Sequence, residues 1–321
     1  MLYGTLSYQV PRTEDVDATR KVRTVTGKRW LVIGGSGYVG SHLRRRLGGA
    51  ALATFNSVPF PGGIRFDGRV DRLADRVLAL APGIEAAFIL QGISNIDACA
   101  RDPLGSHAVN VEAVVRIVED LATAGIVPVF TSTDGVLDGK RHLVDETEPA
   151  RPLMSYGRQK AEIEAYLAAQ PMRSITVRLS KVVGTDRHAS NMLSGWLDQI
   201  ERGGSIKCAS DQIFCPILAA DVAETLLRLV EYGGRGLYNL GGPAPLGRRE
   251  FLDLLIAEAA RYREVSVAIE TCRLNDLPFL EPRPVDQSMS IAKLVQATGW
   301  QPTEMAEVCR RIAAERYGPA A

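Results

Sequence analysis

From Trp30 to Leu179 the apolar positions alternate between two rhythms. Short runs rich in β-branched, leucine and aromatic residues lie at Trp30–Ile33, Ala51–Phe55, Ile64–Phe66, Ala86–Leu90, Val127–Thr131 and Ile175–Leu179. Between them, at Tyr38–Leu47, Arg69–Leu80, Ala108–Ala124 and Ser155–Ala169, apolar residues recur three and four apart. The first pattern predicts strands and the second amphipathic helices. Their alternation predicts an α/β fold: a doubly wound parallel sheet of Rossmann type, covered on both faces. Past residue 184 the rhythm changes. Segments rich in Gly, Pro and Arg ("GGPAPLGRRE", "LPFLEPRPVDQ") alternate with helical stretches at Asn191–Glu201, Asp221–Val230 and Arg249–Ala260. This predicts a smaller C-terminal lobe over the carboxyl ends of the strands, where such sheets bind ligands. The expected organisation is a polar arm over 1–28 and a nucleotide-binding domain over 29–184, with returning segments near 213–242. A substrate lobe is expected over 185–212 and 243–321.

Composition narrows the partners. The chain has 321 residues, 46% apolar and 23% charged, with a formal net charge of +1. That is the profile of a globular protein with no electrostatic claim on nucleic acid or an anionic membrane. No apolar run is long enough to span a bilayer, and the first residues lack a charged start followed by an apolar core. Cys99, Cys208, Cys215, Cys272 and Cys309 form no pair at metal-ligand spacing and read as reduced thiols of a cytoplasmic protein. His42, His107, His142 and His188 are dispersed, so no metal is expected.

Two short stretches carry chemistry. The first is "LVIGGSGYVG", an apolar strand running into glycines at Gly34, Gly37 and Gly40 and then a helix. One glycine permits a tight turn, one lets the backbone approach a pyrophosphate, and one lets helix and strand pack closely. The helix N-terminus then offers unpaired N–H groups to the phosphates. A bare structural turn is the competing reading; the position after the first strand of a βαβ series favours dinucleotide binding. The second strand ends in "ATFNSVPF", with Asn56 and Ser57 where a carboxylate would bind ribose hydroxyls. A 2′-phosphate meets no repulsion there, and Arg44, Arg45 and Arg46 lie on the first helix. NADP is therefore the expected cofactor, with NAD the alternative.

The second stretch is "SYGRQK", with Tyr156 and Lys160 on one face of a helix, preceded by "FTSTDG" at the end of the fifth strand. Reducing a ketone by hydride transfer creates an alkoxide, which needs a proton. A tyrosine can supply it if a lysine ammonium stabilises the phenolate and lowers a pKa that is ordinarily about 10. A serine or threonine hydroxyl can hold the carbonyl oxygen. Tyr and Lys four apart also arise by chance at the start of an ordinary surface helix; the preceding hydroxyl cluster favours the catalytic reading.

Taken in order, "GGSGYVG", "SNIDACARDP", "VNVEA", "TSTDGVLDG", "SYGRQKAEIE", "VRLSKVVG", "SDQIFCPILAADVAE", "LYNLGGPAPLGRREF" and "RPVDQSMSIAKL" resemble the dTDP-4-dehydrorhamnose reductase family, within the extended short-chain dehydrogenases. The resemblance runs from about Trp30 to Pro302. It implies reduction of a 4-keto nucleotide sugar, or a related carbonyl compound, by NADPH or NADH. Thr133 matches the catalytic hydroxyl, Tyr156 the proton donor and Lys160 its partner. Gly37, Tyr38 and Val39 match the pyrophosphate turn, Asp67 and Gly68 a pair near the adenine, and Gln91, Gly92 and Ile93 the cofactor end of the fourth strand. Asp134, Asn191, Gln212 and Arg283 fall in motifs expected to face the substrate. The chain departs from the family at Gln91-Gly92, where small alanines are usual, at Gly135-Val136-Leu137, where an aromatic pair is usual, and at Lys181, where an aromatic is common. The latter two departures are expected near the sugar. A nucleotide-sugar epimerase or dehydratase on the same fold, with Asp134 as an added acid, is an alternative. So is a non-catalytic nucleotide-binding subunit. A homodimer is compatible with all three.

Overall fold

A computed structural model describes residues 27, 29–186 and 191–318. All of the expected arm except Gly27, and His188, lie outside the described residues.

The six expected strands form where the pattern puts them: β1 (Trp30–Ile33), β2 (Ala51–Phe55), β3 (Ile64–Arg65), β4 (Ala86–Ile89), β5 (Val127–Thr133) and β6 (Ile175–Leu179). A seventh, Gly236–Leu240, joins at the edge beside β6, within the returning segments expected near 213–242. All pairings are parallel, in the order Gly236–Leu240, β6, β5, β4, β1, β2, β3. The order reverses between β1 and β4, so a crevice opens at their carboxyl ends.

Alternation along each strand divides the core. Trp30 and Val32 point to one face, with Phe88, Val129 and Val177. There they meet Leu43 and Leu47 of helix α1 (Tyr38–Leu47) and Val222, Leu226 and Leu229 of the helix Ala219–Glu231. Leu31 and Ile33 point to the other face, with Ile89 and Phe130, against Val114, Ile117 and Leu121 of the helix Ala113–Thr123 and Ile163 of the helix Ser155–Ala168. A separate core lies in the C-terminal half, where Leu193, Trp196 and Leu197 pack against Phe251, Leu255, Val308 and Ile312. The strands Ser205–Ala209 and Ala268–Cys272 pair in parallel beside it. The helices Ala292–Thr298 and Met305–Tyr317 were not expected from the sequence.

Two expected helices differ. Arg69–Leu80 contains only one α-turn, Leu73–Arg76, and a 3-10 turn, Leu78–Leu80. The buried carboxylate of Asp120, on a different helix, accepts from Leu73 N (2.8 Å) and Ala74 N (3.2 Å) and fixes a short capped turn instead. Helicity around Ala108–Ala124 starts earlier, at Pro103, with Asp102 accepting from Gly105 N at 2.9 Å, and passes through a π-turn over Ala108–Glu112.

The helix Ser155–Ala168 approaches the end of β5 unusually closely. A Cβ on Gly157 would lie 2.2 Å from the Gly135 carbonyl oxygen, so only glycine permits the approach. Its first turn lacks a local side-chain cap. Glu281, 126 residues on, accepts instead from Ser155 N (3.0 and 2.9 Å) and from Ser155 Oγ (2.8 Å). Beneath the helix, Arg178 of β6 donates from its Nη2 to Glu164 (2.8 Å) and from its Nη1 to the Glu148 carbonyl (3.1 Å). The side chains of Arg178 and Glu164 are 4% and 10% exposed, so neither charge has water to replace the other.

These contacts predict two stability effects. Gly157→Ala gains helix propensity worth about 1 kcal/mol, yet overpacking against Gly135 should leave a net loss of about 1–3 kcal/mol. Chemical denaturation decides it, and an unchanged midpoint would remove the close-approach argument. Arg178→Met should cost about 3–5 kcal/mol by stranding Glu164, and adding Glu164→Gln should recover part of that loss.

Candidate active site

The carboxyl ends of β1, β4, β5 and β6 open into one cavity of about 820 Å³. Its wall is built from the glycine turn after β1, the end of β4, the hydroxyl cluster of β5, the first turns of the helix Ser155–Ala168, and segments of the C-terminal half.

The three glycines of the first turn act differently. Gly34 takes φ +91°, and a Cβ there would lie 2.7 Å from Gln91 N. A Cβ on Gly40 would lie 2.3 Å from the Gly34 carbonyl oxygen, so this glycine sets the helix–strand distance. Gly37 is the N-cap of α1; a Cβ there would meet only the Gly34 carbonyl oxygen within 4 Å, at 3.3 Å. Helix α1 has no side-chain cap and no acidic residue in its first turn, and Gly37, Tyr38, Val39 and Gly40 line the cavity. An uncapped helix N-terminus beside a bare glycine fits an anionic phosphate group, so the residues present suit a dinucleotide.

The end of β4 is held from below. Gly92 has φ +153°, and its missing Cβ would sit 2.9 Å from Asn110 Oδ1. Asn110 accepts from Ile93 N (2.7 Å) and donates to Ile93 O (3.1 Å) and to Gln159 Oε1 (2.7 Å). Gln159 donates in turn to Ser106 Oγ at 2.7 Å. The π-turn at Ala108–Glu112 carries Asn110 into this position. Gln91 and Gly92 line the cavity; Ile93 lies behind it, paired with Asn110. Asp67 and Gly68 are not among the lining residues. The Asp67 carboxylate is paired with Arg69 (2.7 Å), and Gly68 packs against the Gln91 side chain.

Thr133, Tyr156 and Lys160 all line the cavity. Thr133 Oγ1 accepts from Gly135 N (3.1 Å) and donates to Asp134 Oδ1 (3.2 Å). Lys160 Nζ donates to the Thr131 carbonyl at 2.8 Å and lies 4.5 Å from the Phe130 ring centre and 5.8 Å from that of Tyr156. Burial pulls the Lys160 ammonium down to about 8. Burial also pushes the Tyr156 phenol well above its ordinary value, and the Asp134 charge adds to this. The resting phenol therefore does not sit below its ordinary value, as the sequence suggested, because burial is the larger effect. Asp134 is buried and receives Gln287 Nε2 at 3.0 Å; burial raises its carboxyl to about 6.

The expected substrate residues separate. Gln212 and Arg283 line the cavity, and the Arg283 guanidinium is paired with Asp97 and lies 4.7 Å from the Phe279 ring centre. Asn191 is not a lining residue: it caps the helix Met192–Arg202, accepting from Leu193 N at 3.0 Å. Of the two departures expected near the sugar, Lys181 lines the cavity. Val136 and Leu137 do not; they are buried with Val144 and Met289. Sequence reasoning missed Gln159, Gln287 and Arg248. Arg248 is one of two adjacent arginines in "GRRE", and only the structure separates it from Arg249, which pairs with Asp253 on the surface.

Residues 28–317 match the family described as RmlD substrate binding domain. The dTDP-4-dehydrorhamnose reductase of Aggregatibacter actinomycetemcomitans is 26% identical over 251 residues, 75% of this chain and 85% of that protein. Among solved structures, the dTDP-4-dehydrorhamnose reductase of Bacillus anthracis in complex with NADP superposes with TM-score 0.78 at 18% identity, covering 90% of this chain and 99% of that one. The UDP-glucose 4-epimerase of Thermus thermophilus in complex with NAD gives TM-score 0.73 at 23% identity, covering 91% and 100%. A sheet in Rossmann order and a match over nearly the whole described chain place this protein in the RmlD substrate binding domain family.

Proposed function

We propose that the protein is an NADPH-dependent reductase of a 4-keto nucleotide sugar, with the nucleotide domain over 29–184 and the substrate held under the C-terminal lobe. The observation that carries this reading is the placement of Tyr156, Thr133 and Lys160 in the same cavity as an uncapped glycine turn. The relatives named dTDP-4-dehydrorhamnose reductase support it. Bound NADPH would supply the hydride. Tyr156 gives its proton to the carbonyl oxygen as that oxygen becomes an alkoxide, and draws a replacement from solvent. Thr133 Oγ1 donates to the same oxygen. The Lys160 ammonium stabilises the phenolate left behind. A phenol raised by burial and by Asp134 keeps its proton through neutral pH, so no phenolate stands ready to act as a base. That favours reduction over epimerase chemistry, which must begin by removing a proton from the substrate. Protein that purifies with tightly held NAD and interconverts sugars without net reduction would reverse this choice. The intact Thr133, Tyr156 and Lys160 set weighs against a purely regulatory subunit.

NADP over NAD is supported by the surroundings of β2. Asn56 and Ser57 after this strand are exposed, and neither is acidic. Of the three arginines on α1, Arg46 pairs with Glu224 (2.5 Å) and Arg45 with Asp186 (3.7 Å). Arg44 has no carboxylate partner among the described residues; it donates to the Gly35 carbonyl (2.8 Å) and stacks 3.6 Å from the Phe60 ring centre. It is thus the α1 arginine left to meet a 2′-phosphate. Cytoplasmic residence belongs to the same reading, supported by five free cysteines, four of them buried. Among the described residues no helix is long and apolar enough to cross a membrane.

Tyr156→Phe should lower kcat for keto-sugar reduction by about 10²–10⁴ while NADPH still binds. In the unsubstituted enzyme the rate should fall above about pH 8 as Lys160 loses its proton; near-full turnover by the Phe variant would refute the assignment. Arg44→Ala should cut kcat/KM for NADPH about 10- to 100-fold, the loss of one charge-assisted contact, and leave NADH nearly unchanged. Equal losses with both cofactors would remove Arg44 from phosphate recognition.

A further inference from the structure

Lys160 is buried, and its Nζ donates to a neutral group, the Thr131 carbonyl, at 2.8 Å. Burial of an ammonium favours its neutral form. The reaction proposed above needs the charged form, because only an ammonium stabilises the phenolate left on Tyr156. Some other group must hold the proton on Lys160. Glu164 is placed to do so. It stands one turn on from Lys160 in the helix Ser155–Ala168, at i+4 and on the same face. Consecutive residues of β5 hold the two side chains: Thr131 gives its carbonyl to Lys160, and Ser132 donates its hydroxyl to Glu164. The Glu164 carboxylate also accepts from Arg178 Nη2 at 2.8 Å and from Arg178 Nε at 3.1 Å. Arg178 stands opposite Ser132 in the register of β5 and β6.

The sequence of charges beneath the cavity is therefore ammonium, carboxylate, guanidinium, all largely out of water. Charges shielded from water act on one another across several ångströms with little screening. The Glu164 charge supports the protonated form of Lys160 against burial, ahead of a smaller effect from the Cys99 thiol on the helix Ile96–Arg101. Tyr156 faces Lys160 from the same helix, with its ring centre 5.8 Å from Nζ. Asp134, which follows β5, acts on Tyr156. Arg178 acts in the opposite sense to Glu164, by neutralising its carboxylate.

We infer that Glu164 is a positioning residue of the active site: held by Ser132 and Arg178, its carboxylate keeps Lys160 in the ammonium form, and Arg178 sets how much of that charge Lys160 feels. The importance of this for turnover rests on the role of Lys160 proposed above. The electrostatic coupling itself does not, and it is measured without turnover.

The test is an NMR titration of the full-length protein carrying lysine enriched in carbon-13 at Cε. The Lys160 signal is identified by its loss in Lys160→Arg, and circular dichroism checks the folding of each variant. Glu164→Gln keeps the shape of the side chain and removes its charge. The Lys160 midpoint should fall from about 8, by roughly one pH unit or more. Arg178→Met leaves the Glu164 charge unshared and should raise the midpoint. In the double variant Glu164→Gln/Arg178→Met the midpoint should lie between those of Glu164→Gln and the unsubstituted protein, because the carboxylate acts on Lys160 more strongly than the guanidinium. This ordering decides the matter if Arg178→Met alone does not fold. An ion pair that only braces the helix would lower stability in both single variants without separating their midpoints. An unmoved midpoint in Glu164→Gln, or shifts of the same sign in Glu164→Gln and Arg178→Met, would overturn the inference. The alkaline limb of the pH–rate profile should move with the midpoint in each variant. Absence of keto-sugar turnover, with the midpoints moving as described, fails the reductase reading alone.

Discussion

The contact between the helix Ser155–Ala168 and the end of β5 sets the rest of the site. A backbone carbonyl at Gly135 and a bare Cα at Gly157 meet where any side chain would force them apart. That approach sets Tyr156 and Lys160 on the same side as the β5 hydroxyls, and it places the Lys160 ammonium against the Thr131 carbonyl. Glycine inside a helix is ordinarily unfavourable, and its position between the tyrosine and the lysine is explained by this steric demand.

Several long-range contacts hold that arrangement. Glu281 caps the helix from a distant segment, Arg178 and Glu164 tie the helix to β6, and Asn110 with Gln159 ties it to the end of β4. Each satisfies polar groups that the fold has removed from water, so each couples the position of one wall of the cavity to another. The cavity itself is less balanced. Arg283 has its carboxylate, whereas Arg248 has no carboxylate partner among the described residues. Electrostatic imbalance confined to a cavity is what separates a surface prepared for a ligand from one completed by the protein itself.

The strands and the first helix were legible because one periodicity dominates each of them. Leu31 and Ile33 against Trp30 and Val32, or Leu43 with Leu47, announce their faces within a few residues. The glycine turn was legible for the same reason: Gly34, Gly37 and Gly40 have local duties set by φ and by the strand-to-helix distance. Arg69–Leu80 was misread because its helical pattern yields to Asp120, a cap brought from another helix. The phenol of Tyr156 was expected to be lowered by Lys160. Burial and Asp134 decide otherwise, and neither can be weighed from spacing alone.

The sequence by itself determined the parallel α/β class, the glycine turn after the first strand and the residue types available for proton transfer. These follow from short-range periodicity, backbone sterics and side-chain chemistry. Only the tertiary structure decided that Asp67 is spent on Arg69, that Asn191 is a helix cap, and that Val136 and Leu137 are core. It also decided that Arg248 turns inward while Arg249 turns out. Charge pairing, burial and capping are set by residues far apart in the chain, and no local pattern contains them.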